Sequence, residues 1–213
     1  MWFFVFALSI FLVMPLHFWS VEHDRLETKF GPEKGNRIGA ALGVISGWGY
    51  FAFLFGIWLS PQDRFTIPIF ENIIVVLPLA GLFVLMIPIV HLILALVFII
   101  PGMWFGIKGV KDLGLEASEK HKSEAVITEG SYSIVRHPQY LGALLAHIGI
   151  SILLSALWAL IFTPFLIIRD FVICRKEELE MEREFGLEYG TYRKQVPMFI
   201  PRFRKSDPSK ENM

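Results

Sequence analysis

Between Asn72 and Ile107 the chain runs for 36 residues without a charged side chain. As one helix that stretch is roughly 54 Å long at 1.5 Å per residue, far more than a hydrocarbon core of about 30 Å requires. Further charge-free runs cover residues 1–20, 38–60 and 137–168. A soluble domain is about one-quarter charged; here the charged fraction is 19% and the apolar fraction 54%. These runs exclude a soluble globular domain, a disordered chain and a secreted disulfide scaffold. The expected fold class is all-α, a polytopic membrane bundle of five or six spans with a cytosolic C-terminal helix.

Residues 1–20 lack a basic n-region and a small-residue cleavage pattern, so they read as a retained membrane helix rather than a signal peptide. A polar connector from Val21 to Arg37 leads to a second span, about Ile38 to Ser60. In the long run, Pro88 and His91 offer a break between two shorter spans. After a polar loop, Lys108 to Arg136, residues His137 to Ile168 read as a hairpin of two spans with Ser155 and Pro164 as possible bends. Arg169 to Met213, with ten Lys and Arg residues, reads as a soluble tail. The domain division is 1–89 for N-terminal membrane helices, 90–205 for a core holding the site, and 206–213 for a polar tail.

Positive-inside bias tests the span count. Six spans with the N-terminus inside place 16 Lys and Arg residues in the cytosol against 4 outside; five spans with it outside place 19 against 1. Charge favours five and length favours six. Both put the 108–136 loop and the tail together in the cytosol. Net charge is zero, so nothing points to nucleic acid, and the single Cys174 permits neither an internal disulfide nor a cysteine-based metal site. No metal is implied.

Three polar features meet on that face. In Glu129-Gly130-Ser131-Tyr132-Ser133-Ile134-Val135-Arg136-His137-Pro138-Gln139-Tyr140-Leu141-Gly142, Gly130 permits a turn and Pro138 can open a helix. Backbone N–H groups there, aided by Arg136, suit a carboxylate or phosphate; the same residues also suit a plain interfacial anchor. In the second, Glu177 and Glu178 each begin a helical face continued by Met181 and Phe185, although an ordinary acidic helix surface has the same composition. The third, Phe185 to Pro201, reads as a clasp: Gly186 ends a helix and Tyr189 and Tyr192 pack back on the bundle. His91 and His147 lie in apolar stretches, either as functional groups or as neutral rings bonded to a neighbouring helix.

The ordered set Gly-Ser-Tyr-x3-Arg-His-Pro-x-Tyr-x-Gly, a membrane hairpin, Glu-Glu-x6-Phe-Gly-x-Glu-Tyr-x2-Tyr and Val-Pro resembles the isoprenylcysteine carboxyl methyltransferase and phospholipid methyltransferase superfamily over roughly residues 90–201, with Lys111-Asp112-Leu113-Gly114 where the family often has a Leu-Gly pair. Residues 1–89 match only as generic spans. The resemblance implies a membrane enzyme using S-adenosylmethionine, acting on a lipid-like or small apolar methyl acceptor that enters sideways from the bilayer. Its cofactor contacts fall on the strand-like Glu124-Ala125-Val126-Ile127, on Tyr132, on His137, Pro138, Gln139 and Tyr140, and on Glu177. The family often has Pro where Ser131 stands. Isoprenylcysteine enzymes also place a substrate-binding Arg four residues before the first Glu, where this chain has Ile173; Arg169 or Arg175 could substitute, and Arg169 is taken as the substrate-side candidate. Two other readings compete: an NADPH-dependent membrane reductase of the sterol type, with a similar hairpin and closing Val-Pro, and a non-catalytic scaffold whose Arg202, Arg204 and Lys205 meet anionic lipid.

Overall fold

A computed structural model of the chain describes residues 1–70, 72–79, 83–120 and 125–201. Glu124 and the basic tail residues Arg202, Arg204 and Lys205 lie outside the described residues, as does the 206–213 tail.

Apolar composition and proline placement set the helix boundaries. Helix α1 (Trp2–Val21) is followed by the short amphipathic α2 (His23–Phe30) and by α3 (Pro32–Leu59). Pro32 opens α3 directly after Gly31, whose φ of +83° turns the chain. Strands β1 (Ile74–Leu79) and β2 (Phe83–Pro88) form an antiparallel hairpin in which Ile74 faces Pro88 and Leu77 faces Leu85. Helix α4 (Ile89–Leu113) ends at Gly114 (φ +93°), and α5 (Leu115–Lys120) follows. A 3-10 turn at Gly130–Ser133 precedes α6 (Pro138–Leu153). Ser155 then reverses the chain with φ +54°, and α7 (Leu157–Gln195) returns along the bundle.

Helices α1, α3, α4 and α7 are each long and apolar enough to cross a membrane, and α6 is a shorter apolar helix of 16 residues. The protein is an all-α polytopic membrane protein with one small hairpin. The chain passes five times between two ends. One end gathers residues 17–37, 110–120, 125–140 and 176–201; the opposite end gathers the hairpin and the 154–157 turn, where Leu157 N–H reaches Asp63 O at 3.1 Å and Phe65 N–H reaches Ser155 O at 3.2 Å.

One open alternative is decided and one expectation needs correction. The described part of residues 72–107 holds one spanning helix and not two. Their first part, rich in β-branched residues (Ile74, Val75, Val76, Val84, Ile87), pairs as strands, and Pro88 stands at the N-cap of the one helix that follows. Nor does a soluble tail begin at Arg169: α7 continues through it, and Arg169, Asp170, Ile173 and Cys174 are all buried.

The histidines of the apolar stretches, His91 and His147, are structural clips. His147 accepts a hydrogen bond from Trp58 Nε1–H at Nδ1 (3.1 Å) and donates from Nε2 to Ala159 O (3.1 Å). His91 accepts from Ile67 N–H at Nε2 (3.1 Å) while its Nδ1 faces Ile152 O (3.1 Å). Each ring satisfies both nitrogens across elements far apart in sequence, as a buried polar group must.

Helices α4 and α6 approach closely through small residues. A methyl group on Gly102 would lie 2.7 Å from Ala146 N; one on Gly142 would lie 2.7 Å from Gly102 O. Both obstacles are backbone, which cannot swing aside. Gly142→Ala is therefore expected to cost about 1–3 kcal/mol by overpacking, seen as a lower thermal midpoint in detergent. An unchanged midpoint would show that the helix pair parts without penalty.

Candidate active site

The site end closes around two adjacent carboxylates that α7 turns in different directions, since neighbouring helical residues point about 100° apart at 3.6 residues per turn. Glu178 has no accessible surface. Its Oε1 accepts from Arg136 Nε–H at 2.8 Å and faces His137 Nε2 at 3.3 Å. Its Oε2 meets Arg175 at 3.0 Å and Arg193 Nε at 3.5 Å. Arg136 also donates to the carbonyls of Arg193 (3.1 Å) and Val196, while its own N–H reaches Pro197 O at 2.9 Å. One buried carboxylate thus joins the loop before α6 to the end of α7 and the strap beyond it. Such a pairing is worth keeping only when every charge is answered, and here three arginines and a histidine answer it.

Glu177 faces a cavity of about 410 Å³. Its side chain keeps 19% of its surface accessible. His17 Nε2 lies 3.0 Å from Glu177 Oε1, Tyr140 donates its hydroxyl proton to the same oxygen, and His137 Nδ1 lies 3.5 Å from Oε2. Burial by itself would push His137 down; hydrogen bonds and charge from Glu177 and Glu178 outweigh it and hold the imidazole above its ordinary value. Cys174 lies close enough that one ligand atom each from His137, Cys174 and Glu177 fall within 4.8 Å of one another. Both His137 nitrogens already face carboxylate oxygens, so the ring is committed to hydrogen bonding.

Ala125, Val126, Ile127, Tyr132, His137, Gln139, Tyr140 and Glu177 all line this cavity. Residues 125–127 form no strand, because the only sheet among the described residues is β1–β2; they run as an irregular segment against the α7 end, with Val126 packed on Tyr189 and Tyr192. Pro138 is buried at the first turn of α6, against α4 at Gly109, and sets the helix start instead of lining the wall. Gln139 donates to Tyr132 Oη (3.1 Å) and Ser118 Oγ (2.9 Å), and Tyr192 donates to Tyr132 O (2.8 Å). Ser131 anchors the turn before α6: its N–H and its hydroxyl both donate to Asp112 Oδ2 at 2.7 Å. Gly186 does break α7, with φ +51°, but helix resumes and runs to Gln195.

Arg169 also lines the cavity, on its membrane side, with its guanidinium 3.9 Å from the Tyr50 ring centroid and 2.6 Å from Asp170 Oδ1. Arg175 is occupied by Glu178. Ile173 is fully buried and brings no charge. Sequence reasoning missed His17, Asp112, Tyr50 and Ser118. Asp112 lies inside the Lys111–Gly114 block without a role assigned to it there, the other three sit in no motif, and each meets a partner 19 or more residues away.

The sequence profile of the phospholipid methyltransferase family matches residues 90–188. Over that stretch, 99 of the 213 residues, the chain is similar to the phospholipid methyltransferases. Among its relatives, a protein-S-isoprenylcysteine O-methyltransferase of Schizosaccharomyces pombe is 36% identical over 88 residues, 40% of this chain and 36% of that one. A methanethiol S-methyltransferase 2 of Bradyrhizobium diazoefficiens is 38% identical over 84 residues, 37% of this chain and 31% of that one. The Mus musculus protein-S-isoprenylcysteine O-methyltransferase is 34% identical over 89 residues, 39% of this chain and 30% of that one. The matches thus span about a third of these relatives' lengths. Within the matched residues 90–188 lie nearly all of α4, α5 and α6, the 125–137 loop and most of α7, and so both glutamates.

Because the folded His137 value is raised, its protonation stabilises the fold fully below the unfolded value of about 6.5, and that stabilisation is lost as the pH rises through the folded value. The thermal midpoint gap between wild type and His137→Phe should be widest near pH 6 and shrink towards pH 9. A gap independent of pH would contradict the charged bridge.

Proposed function

We propose that the chain is an integral membrane methyltransferase that uses S-adenosylmethionine and acts on a lipid-like or small apolar acceptor reached through the bilayer. The observation that carries this reading is the cavity itself, with a carboxylate at one end and a lipid-facing apolar wall at the other. Val44, Trp48 and Phe51 of α3 line it and are exposed, and a Cβ on Gly47 would meet nothing within 4 Å. The cavity therefore opens sideways along α3.

The residues fit the cofactor's chemistry. Glu177, partly accessible and already oriented, suits a cationic ligand group. The face of Tyr140 suits a sulfonium or ammonium centre. Tyr132, Gln139 and the 125–127 segment offer polar and apolar edges for a nucleoside. When bound, S-adenosylmethionine supplies a methyl group on a cationic sulfur that transfers in one displacement. The chain's own contribution is to bind, orient and exclude water; holding reactants in line supplies much of the acceleration in such a step. Arg169 is the substrate-side residue in this reading: its Nε and the Tyr50 hydroxyl are buried without a hydrogen-bond partner, and an ionisable group at membrane depth marks a functional position. They form a polar patch where an acceptor's polar head would stop.

Five passes with an outside N-terminus place 19 of the 20 Lys and Arg residues on the site's side, which by the positive-inside rule is the cytosol. Soluble cofactor then enters from water and acceptor from lipid.

Calorimetry on detergent-purified protein tests the reading. Wild type is expected to bind S-adenosylmethionine and S-adenosylhomocysteine, and Glu177→Ala to bind S-adenosylmethionine about tenfold or more weakly, the scale of one charge-assisted hydrogen bond. A folded wild type that binds neither, and retains NADPH instead, would overturn it in favour of a reductase.

A further inference from the structure

We infer that His17 is a positioning residue of the cofactor site, contributed by a helix outside the matched residues 90–188; the inference rests on the reading of Glu177 as the cofactor's carboxylate. The buried positions of α1 are Phe3, Ala7, Ile10, His17, Ser20 and Val21. Four of the six are apolar, the Ser20 hydroxyl is satisfied within its own helix, and an apolar residue at position 17 would pack as well with no polar group to satisfy. The histidine instead places Nε2 at 3.0 Å from both Glu177 Oε1 and the Tyr140 hydroxyl oxygen. The ring stands edge-on to Tyr140 with centroids 6.4 Å apart.

Support for the ring comes from behind. Ser46 of α3 sets its Oγ 3.5 Å from His17 Nδ1 while donating to Gly43 O at 3.1 Å. Ser20 donates to the His17 carbonyl at 2.7 Å. Helix α3 thus backs α1, and α1 holds a carboxylate on α7. The consequence is directional. A free glutamate side chain rotates about three bonds, but one whose Oε1 meets donors from α1 and α6 has a fixed carboxylate plane. Its Oε2, which among the described residues has His137 Nδ1 at 3.5 Å, is then the oxygen presented to a cation in the cavity. The N-terminal helices complete the site as well as crossing the membrane.

The test compares His17→Phe, His17→Gln and His17→Asn with wild type, by calorimetric binding of S-adenosylhomocysteine and by thermal midpoint without ligand. Phe fills the ring's volume without a donor; the Gln amide reaches the Nε2 position; the Asn amide stops one carbon short. His17→Phe and His17→Asn are expected to bind about tenfold more weakly, and His17→Gln within about threefold of wild type, with the three variants alike in midpoint. If His17→Phe does not fold, the Gln-against-Asn contrast carries the same decision. A wild type that binds while all folded variants bind equally well overturns the positioning role alone. Gln and Asn equally weak overturn the Nε2 donor as its basis. A folded wild type that binds no S-adenosylhomocysteine removes the cofactor reading and this inference with it.

Discussion

Glu178 is a charge with no access to water, and that fact organises the whole site end. A carboxylate in such a place is tolerable only when cations reach it from several directions. Arg136 comes from the loop before α6, His137 from the α6 N-cap, Arg175 from α7 itself and Arg193 from beyond the Gly186 break. Removing the carboxylate would strand the buried Arg136 guanidinium without its partner, and this pairing fixes the loop before α6 against the end of α7. The neighbouring Glu177 inherits a fixed position from this lock and is left partly open to the cavity. The pair divides the work: one glutamate holds the structure and the other faces the ligand.

The bilayer imposes the second constraint. Inside it every backbone group must be satisfied within the protein, which favours the five helical passes and the close α4–α6 contact across Gly102 and Gly142. Buried polar groups on those helices commonly meet a specific partner, as with Trp58 and His147. Among the described residues Thr163 Oγ1, Arg169 Nε, Asp170 Oδ2 and the Tyr50 hydroxyl depart from this rule, and two of these four residues, Tyr50 and Arg169, line the cavity.

Much of this was legible from residue types alone. Charge-free length revealed the membrane helices, Pro138 announced the start of α6, Ser155 marked the turn into α7, and helical spacing set both glutamates on a face that packs. What escaped had physical causes. The run after Asn72 is apolar throughout, so composition could not distinguish a span from a hairpin; the β-branched residues at 74–76 and the prolines at 78 and 88 held the distinguishing signal. Glu177 and Glu178 looked equivalent because the surroundings that separate their roles come from α1, the pre-α6 loop and the C-terminal strap. His17 was one histidine in an apolar helix, with partners 123 and 160 residues away. No local pattern encodes such a contact.

The central claim is that a methyl-donor cofactor lies between the 125–140 segment and the α7 carboxylate. Ultraviolet cross-linking of the purified protein with methyl-labelled S-adenosylmethionine, followed by peptide mapping, tests it most directly. The account predicts label in peptides spanning 125–140 or 177–192, competed away by S-adenosylhomocysteine. Label confined to other peptides, or label that the competitor leaves in place, would contradict it.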